Sequence, residues 1–251
     1  MKFLGIIPAR YASTRFPGKP LVNIGDKPMI QWVYERVSGN LDEVIVATDD
    51  QRIYDAVKKF GGRATMTSPN HTSGTDRCFE AYSNLKKSFD VVVNIQGDEP
   101  FIKASQIQLL KDCFLDSETE IATLVKAFSP DDDFDTLFNP NTPKVILNKK
   151  MQAVYFSRSI IPYIRGKHHS EWLKYSIFYK HIGIYAYRSE VLKEITSLPQ
   201  SNLEKAESLE QLRWIENDYT IKAGITTEET IGIDTPEDLE KALKFISDSS
   251  I

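Results

Sequence analysis

The chain has 251 residues, of which 41% are hydrophobic and 26% charged, a composition typical of a globular protein with a large core. The formal net charge of −4 excludes a general positive field of the kind that attracts nucleic acid or an anionic membrane. The two cysteines, Cys78 and Cys113, lie far apart and outside any C-x-x-C pattern, which argues against a disulfide framework or a zinc knuckle.

The N-terminal apolar run is too short for a signal peptide, because Pro8 and Arg10 interrupt it. No segment approaches the roughly 18 apolar residues that a membrane span needs. We therefore expect a cytoplasmic protein with neither nucleic-acid nor membrane partners, in which any anionic ligand is held by local cations.

Short apolar runs alternate with helix-period segments through the first half of the chain. In order, the predicted strands and helices are "KFLGII", "KPMIQWVYERV", "EVIVAT", "DQRIYDAVKKFG", "TDRCFEAYSNLKK", "DVVVNIQGDEP" and "ASQIQLLKDCF". The apolar run before "NIQGDEP" is continuous, as expected of a central strand covered on both faces. This alternation predicts an α/β fold with a mostly parallel central sheet and helices on both faces.

The pattern changes after about residue 120, where four strands are predicted before the next helix. These strands are "EIATLVKAF", "PKVILN", "AVYFSR" and "HIGIYAYR", and the helix is "SEVLKEI". They predict a smaller, sheet-extending lobe over about residues 121–188 within a single domain of residues 1–251. Residues 129–143 are expected to form a connecting loop and residues 163–176 a mobile excursion. The last predicted elements are the helix "EQLRWIEN", the strands "TIKAGIT" and "TIGID", and the helix "PEDLEKALKFI".

Three cations follow the first predicted strand, in "IPARYASTRFPGKPL". Open parallel sheets bind ligands beyond the carboxyl ends of their strands, and Arg10, Arg15 and Lys19 are suited to phosphate oxygens. A solvated basic loop is the alternative, but the position after the first strand favours a phosphate site. The chain contains neither G-x-x-x-x-G-K-[ST] nor G-x-G-x-x-G, which argues against ATPase and dinucleotide-binding functions.

Carboxylates end two other predicted strands. Asp98 and Glu99 lie in "QGDEP", and Asp234 lies in "GIDTPEDL". Mg²⁺ typically binds one or two carboxylates and completes its coordination with water and substrate phosphate. Each motif has a structural alternative, a Gly-Asp turn for the first and the start of a capped helix for the second. Together with the cations, the carboxylates indicate a site for a polyphosphate and a divalent metal.

The histidines form no metal-binding pattern. His168 and His169 lie in a charged loop and are expected to be solvated, and His71 lies in a polar loop. His181 opens the strand "HIGIYAYR", and its spacing alone favours a structural role.

Eight segments in the same order resemble one family almost end to end. The sequence resembles the 3-deoxy-manno-octulosonate cytidylyltransferases, or CMP-Kdo synthetases, in "IPARYASTRFPGKPL", "HTSGTDR", "NIQGDEP", "FNPNTPKV", "YFSRSIIPY", "HIGIYAYR", "LEQLRWIE" and "GIDTPEDLE". The first motif is specific, since the related sialic acid cytidylyltransferases carry a shorter version rich in glycine and lysine.

The resemblance implies a Rossmann-like fold of the nucleotide-diphospho-sugar transferase type and a homodimer. The implied reaction joins CTP and 3-deoxy-D-manno-octulosonate (Kdo) to give CMP-Kdo and pyrophosphate for the lipopolysaccharide inner core, with Mg²⁺ as cofactor. The anomeric hydroxyl of Kdo would attack the α-phosphate of CTP.

The resemblance also implies roles for individual residues. Arg10, Lys19, Asp98 and Asp234 would be catalytic, with Lys19 nearest the α-phosphate and the two aspartates binding the metal. The implied nucleotide-binding residues are Pro8, Ala9, Arg10, Arg15, Lys19, Ser73, Gly74, Thr75 and Arg77. The implied sugar-binding residues are Gln96, Arg158, His181, Tyr185, Glu210 and Gln211.

Two alternatives to this function stay open at the level of the sequence. One is the same transfer to another 2-keto sugar acid, such as 8-amino-Kdo or a sialic-acid-like sugar. The other is a sugar-nucleotide-binding protein without catalysis, against which Asp98 and Asp234 argue. The sequence names no general base.

Overall fold

The computed structural model describes residues 1–12, 16–228 and 232–249. It divides into two units. The first comprises Met1–Ile107, Tyr187–Thr196 and Glu229–Ile251, and the second comprises Gln108–Ala186 and Ser197–Glu228. The lobe predicted over about residues 121–188 falls almost entirely within the second unit, which also includes residues that precede and follow it.

The described residues form the following strands and helices. The strands are β1 (Phe3–Ala9), β2 (Asn23–Ile24), β3 (Lys27–Pro28), β4 (Glu43–Thr48), β5 (Ala64–Met66), β6 (Val91–Asn94), β7 (Ile121–Ala127), β8 (Lys144–Leu147), β9 (Ala153–Ser157), β10 (Tyr179–Arg188) and β11 (Ile221–Ile225). The helices are α1 (Met29–Ser38), α2 (Gln51–Lys59), α3 (Gly74–Ser83), α4 (Ala104–Cys113), α5 (Phe134–Phe138), α6 (Trp172–Tyr175), α7 (Ser189–Thr196), α8 (Asn202–Glu207), α9 (Gln211–Ile215) and α10 (Pro236–Ser249). Lys19–Leu21 and His169–Glu171 form single 3₁₀ turns.

The first unit is built on parallel strands in the order β6-β1-β4-β5. Leu4 in β1 lies opposite Glu43 on one neighbour and Val92 on the other. All four residues of β6 are buried, as are most residues of β1. These strands are therefore covered on both faces, which explains why they read as continuous apolar runs rather than as alternating ones.

The helices of the first unit bury residues at helical spacing and begin at polar caps. Ile53 and Val57 are the buried residues of α2, and the Asp50 side chain accepts a hydrogen bond from the Arg52 amide at its start. Ser73 caps α3 by accepting from the Asp76 amide. Each cap satisfies an amide that the helix itself leaves without a partner.

The second unit contains mixed strand pairing. β11 runs parallel to β7, whereas β8 is antiparallel to both β10 and β9. Phe128, Leu137, Trp172 and Phe178 form one of its apolar clusters. The loop expected over 129–143 contains the short helix α5, and the excursion expected over 163–176 contains a 3₁₀ turn and α6, with Trp172 buried at its centre.

The predicted α/β class with mostly parallel strands is confirmed. One predicted strand is wrong in the part that the structure describes: Gly232, Ile233 and Asp234 of "TIGID" have no strand structure, and residues 229–231 lie outside the described residues. The β2–β3 pair and α8 were not predicted. None of the described helices is both long enough and apolar enough to cross a membrane.

Candidate functional site

The ammonium of Lys19 lies between two carboxylates of the first unit. Its Nζ is 2.7 Å from Asp98 Oδ2 and 2.9 Å from Asp234 Oδ1, so it donates a charge-assisted hydrogen bond to each. Burial opposes the charged form, but the two carboxylates together raise the pKa of Lys19 above its ordinary value. The two aspartates that the sequence singled out therefore converge on one point.

Backbone contacts bring the two aspartates together. The Ile233 amide donates a hydrogen bond to the Asp98 carbonyl at 2.9 Å. This bond fixes the residue before Asp234 against the loop that follows β6. Ile233 is also fully buried in an apolar cluster. The buried members of that cluster are Ile24, Met29, Phe101, Ile233 and Ala242. Because this cluster includes residues just after Lys19 and Asp98 and just before Asp234, burial of apolar surface holds all three charged groups in place.

Asp234 directly precedes a capped helix, as the structural alternative for its motif expected. The Asp238 carboxylate accepts from the Thr235 amide at 3.2 Å, and the Asp238 amide donates to Thr235 Oγ1 at 3.3 Å. These two residues satisfy the start of α10, while the Asp234 carboxylate binds Lys19. Both interpretations of Asp234 therefore apply: it directly precedes the helix cap, and its carboxylate belongs to the charged site.

The loop that carries the predicted cations is closed by its backbone. The Gly18 amide donates to the Tyr11 carbonyl at 2.9 Å, and Gly18 has a φ of +72°, a conformation that favours glycine. The Arg52 guanidinium lies 3.3 Å from the centre of the Tyr11 ring. Arg10 is exposed and its Nη1 donates to the His71 carbonyl at 3.4 Å. Arg15 lies outside the described residues.

The other predicted nucleotide-binding residues lie at the end of β1 and the start of α3. Pro8 and Ala9 end β1, while Ser73 caps α3 and Gly74 and Thr75 begin it. A Cβ atom on Gly74 would lie 3.5 Å from Pro8 Cγ, so the two segments are in close proximity. The structure therefore brings these residues together, and the start of a helix presents amide groups that suit an anion.

Arg77 is completely buried, unlike a residue that contacts a ligand through an exposed guanidinium. Its Nη2 lies 2.7 Å from Asp49 Oδ2, and its Nη1 donates to Thr67 Oγ1 at 2.6 Å. Arg77 thereby joins α3 to the segments that follow β4 and β5. Asp49 and Thr67 were not predicted, although each directly follows the last residue of a strand.

Three further residues of the "NIQGDEP" motif, Gln96, Gly97 and Glu99, flank Asp98 in the sequence. Gln96 is partly exposed, and its carbonyl accepts from the Glu99 amide at 3.3 Å. Desolvation raises the pKa of Glu99 to about 8, and the adjacent Asp98 charge adds to the shift. A Cβ atom on Gly97 would lie 3.1 Å from the Pro8 carbonyl oxygen, so the absence of a side chain lets this segment pass close to the end of β1.

The remaining predicted sugar-binding residues lie in the second unit. Arg158 donates from Nε to the Glu207 carbonyl at 2.6 Å and from Nη1 to the Pro140 carbonyl at 2.9 Å. The Glu207 carboxylate in turn accepts from the Arg158 amide and from Ser157 Oγ. Much of the guanidinium is thus bonded to the loops around it. Glu207 was not predicted from the sequence.

Lys144 is a further residue that was not predicted from the sequence. It is fully buried, and its Nζ donates to the carbonyl groups of Asn139, Thr142 and Arg158 at 2.9 to 3.1 Å. Desolvation lowers the pKa of Lys144. Its place in "FNPNTPKV", just after a turn sequence, was the available signal. The three carbonyl contacts fix the backbone that carries Arg158.

His181 is enclosed by aromatic rings. Its ring centre is 5.1 Å from that of Phe156 and 5.2 Å from that of Tyr185. Desolvation lowers the pKa of His181 to about 3, so the imidazole is neutral at pH 7. Nε2 lies 3.0 Å from Thr123 Oγ1, which is also 2.8 Å from the Ile184 carbonyl oxygen. The expected structural role is therefore supported by these contacts.

Glu210 and Gln211 lie at the start of α9. Glu210 accepts from Arg213 Nη2 at 2.6 Å. Gln211 is buried, and its Nε2 has no hydrogen-bond partner among the described residues. A buried amide donor without a protein partner is suited to a polar ligand.

Asp98 and Asp234 fit the requirements of Mg²⁺. Their carboxylates are hard oxygen ligands that already share one cation, the Lys19 ammonium, so both face the same point. No group of three or more His, Cys, Asp or Glu residues within the described ranges forms a metal cage. Two carboxylates with substrate phosphates and water would match the usual Mg²⁺ coordination.

Comparisons with known proteins agree over nearly the whole chain. Residues 4–244 match the family model described as cytidylyltransferase. A 3-deoxy-manno-octulosonate cytidylyltransferase of Parabacteroides distasonis is 69% identical over 248 residues, which cover 98% of this chain and 99% of the relative. The enzyme of the same name from Phocaeicola vulgatus is 65% identical over 246 residues, 98% of each chain. A solved structure of CMP:2-keto-3-deoxy-manno-octonic acid synthetase complexed with CTP has a TM-score of 0.90 at 43% identity and covers 99% of this chain and 100% of its own.

Proposed function

The chain belongs to the cytidylyltransferase family, among the 3-deoxy-manno-octulosonate cytidylyltransferases, and from this we propose that it joins CTP and Kdo to give CMP-Kdo and pyrophosphate. This membership confirms the family resemblance that the sequence motifs indicated. The product is an activated sugar acid for the lipopolysaccharide inner core. The reaction is an in-line attack of the anomeric hydroxyl on the α-phosphate.

One observation carries the assignment of the reaction to the first unit. Asp98 and Asp234 both lie within hydrogen-bonding distance of the Lys19 ammonium. Lys19 belongs to the same basic segment of the sequence as the exposed Arg10. Two carboxylates for a metal and cations for phosphates are the components that nucleotidyl transfer needs.

The cations have an electrostatic task. CTP carries about four negative charges and Kdo adds a carboxylate, and two like unit charges about 4 Å apart repel by about 4 kcal/mol at an effective dielectric of 20. Lys19 and Arg10 offset this repulsion at the phosphates, inside a chain whose formal net charge is −4. Lys19 acts nearest the α-phosphate, and Arg15, four residues earlier in the sequence, is proposed to bind the same triphosphate.

Asp98 and Asp234 are the proposed ligands of Mg²⁺. When bound, Mg²⁺ polarises the phosphoryl group and neutralises developing charge on its oxygens. The protein contributes orientation. Both carboxylates are held in one place by the hydrogen bond from the Ile233 amide to the Asp98 carbonyl and by the apolar cluster around Ile233. No side chain is assigned as general base.

The start of α3 binds the nucleotide. Ser73, Gly74 and Thr75 place the first backbone amides of this helix next to Pro8 and Ala9 at the end of β1. Arg77 acts by holding this helix start through Asp49 and Thr67 rather than by direct contact.

The sugar acid is bound by the residues that the family resemblance assigned to it. They are Gln96, Arg158, His181, Tyr185, Glu210 and Gln211. The observation in favour of Gln211 is its buried Nε2, and the neutral His181 adds no charge of its own. Arg158 contributes the guanidinium donors that its loop carbonyls do not use.

A homodimer is part of the proposal. Its support is the family resemblance together with large apolar side chains that the second unit exposes, among them Tyr163, Ile177 and Phe138. Light scattering coupled to size exclusion is expected to give twice the 28.6 kDa of one chain. A mass of 28.6 kDa would contradict it.

Pyrophosphate release is the direct test of the proposed reaction. The purified protein is assayed with CTP, Kdo and Mg²⁺, then with ATP, GTP or UTP replacing CTP, and with 8-amino-Kdo or a sialic acid replacing Kdo. We expect release only with CTP, dependent on Mg²⁺ and fastest with Kdo, and formation of CMP-Kdo in equal amount. Faster release with another sugar acid would change the acceptor, and no release with any pair would contradict the function.

A further inference from the structure

Lys19 differs from Asp98 and Asp234 in the burial and the flexibility of its side chain. Its side chain is 14% exposed, against 30% for Asp98 and 46% for Asp234, so the lysine side chain is the most buried of the three. Asp98 and Asp234 are short side chains on backbone that is fixed by the contact between Ile233 and Asp98. Lys19 carries its charge on a flexible four-carbon stem. Of the three groups, Lys19 is therefore the one that can leave.

The same carboxylate oxygens cannot serve an ammonium and a divalent cation together at low cost. An ammonium and a divalent ion repel each other twice as strongly as two unit charges at the same distance. The Lys19 Nζ already lies 2.7 and 2.9 Å from the oxygens of Asp98 and Asp234. A metal ion bound to both of these oxygens would be a close neighbour of Nζ, so one cation must give way.

We propose that Lys19 is an exchangeable counterion: its ammonium competes with the divalent cation for Asp98 and Asp234, and moves to substrate phosphate when the metal binds. This inference rests on the proposed function, which supplies both the metal and the phosphate. Without nucleotide, Lys19 neutralises the aspartates and keeps the affinity of the free protein for divalent ions low. With nucleotide, a phosphate oxygen gives the ammonium a new partner, so metal and CTP bind cooperatively.

The test is a Mn²⁺ titration in the absence of nucleotide, followed by the electron paramagnetic resonance signal of free Mn²⁺. The variants are Lys19→Met and Lys19→Gln, which remove the charge, and Lys19→Arg, which keeps it. Lys27→Met is the matched control, because Lys27 is also a lysine of the first unit in an ion pair, with Glu35 at 2.7 Å, but does not contact the aspartates. The double variant Lys19→Met, Asp98→Asn reports whether the titrated site is the one described.

We expect Lys19→Met and Lys19→Gln to bind Mn²⁺ at least 10-fold more tightly than the unchanged protein. Lys19→Arg and Lys27→Met should stay within about twofold of it, and the double variant should lose the gain. Equal or weaker Mn²⁺ binding by both neutral variants would overturn the proposal, and so would a gain that persists without Asp98. If one neutral variant does not fold, the other decides the outcome.

A second readout separates this inference from the proposed reaction. Mn²⁺ without CTP should raise the thermal unfolding midpoint of Lys19→Gln more than that of the unchanged protein, because binding to the folded state alone stabilises it. Neither measurement involves turnover. If the protein without substitutions makes CMP-Kdo but Lys19→Gln shows no gain in Mn²⁺ binding, only the exchange of Lys19 is overturned. A gain in Lys19→Gln without CMP-Kdo formation by the unchanged protein would overturn only the reaction.

Discussion

Lys19 contacts carboxylates that lie 79 and 215 residues further along the chain. Each of these residues is ordinary in its local sequence, where a turn or a helix start accounts for the aspartates. Their chemistry arises from convergence, which places two acidic side chains around one cation. Changes at single residues should therefore have effects that depend on this shared position and on burial.

Asp98→Asn should lower turnover by about 10²-fold or more at saturating CTP and Kdo, because metal positioning acts on the transition state. Steady-state kinetics of pyrophosphate release measure the effect. Asp55→Asn is the matched control, since Asp55 is bonded only to Gln51 on the surface of α2 among the contacts described for it. Near-normal kinetics of Asp98→Asn would show that Asp98 is not a metal ligand.

Arg77→Met should lower the free energy of unfolding by about 3–5 kcal/mol, because it leaves the Asp49 carboxylate without its buried partner. Urea unfolding followed by circular dichroism gives this quantity. The comparison variant is Lys87→Met, which removes an exposed partner of Glu43 and should cost less than about 1 kcal/mol. Similar costs for the two substitutions would mean that Arg77 is not the anchor that its burial indicates.

His181 should make folding stability fall as the pH is lowered. Its pKa of about 3 in the folded protein lies below the ordinary value of 6.5, so protonation favours the unfolded chain. The contribution is constant above about pH 6.5 and is lost below it, with a slope of up to about 1.4 kcal/mol per pH unit. Urea midpoints between pH 7.5 and 5 should fall less steeply for His181→Gln than for the protein with His181 in place. An unaltered slope in His181→Gln would contradict an imidazole that stays neutral because it is desolvated.

Residue types at the site could be predicted from the sequence, but their contacts could not. The motifs identified Lys19, Asp98 and Asp234 because charged groups at strand ends are chemically informative. The ion pair of Lys19 with both aspartates was not predicted, since the sequence assigned the lysine to phosphate and the aspartates to metal. Arg77 was assigned to the nucleotide, and its burial against Asp49 depends on long-range packing that spacing does not encode.

At the scale of elements, the helix starts connect stability with ligand binding. Ser73 caps α3 and Ser201 caps α8, each by accepting a hydrogen bond from the amide three residues later. The two serines thus have the same local role in different units. Only Ser73 lies among the residues proposed to bind the nucleotide.

Ser73→Ala and Ser201→Ala form a matched pair that separates capping from nucleotide binding. Each should lower the free energy of unfolding by about 0.5–2 kcal/mol through loss of the cap. Only Ser73→Ala should also raise the KM for CTP, by several-fold, measured at saturating Kdo. An equal change in KM for both variants, or none for Ser73→Ala, would remove Ser73 from the nucleotide site.

Strands and helices were predictable where their buried residues form a clear periodic or continuous apolar pattern in the sequence. β1, β4 and β6 are buried strands and read as apolar runs, and α2 shows its buried residues at helical spacing. The short helices α5 and α8 were missed because five or six residues are too few to establish a period. "TIGID" has strand-like composition, but Ile233 is buried in a cluster around the charged site, and its backbone amide is bonded to Asp98.

At the scale of the whole molecule, the fold class followed from the alternation of strands and helices, whereas the division into units did not follow from local patterns. The second unit begins at Gln108, inside α4, and its second segment begins at Ser197. Long-range contacts, which local sequence patterns do not reveal, determine this division. Net charge was a poor guide to the ligand for a similar reason. A chain with a formal charge of −4 still has an exposed Arg10 and a Lys19 ammonium beside Asp98 and Asp234, since the local arrangement of charges decides what an anion meets.

The most direct test of the central claim is a crystal structure of the protein with CTP and Mn²⁺, with the metal located by its anomalous scattering. We expect a Mn²⁺ peak in direct coordination with a carboxylate oxygen of both Asp98 and Asp234, with the α-phosphate of CTP beside it. A metal peak beside the triphosphate but distant from both carboxylates would contradict the account.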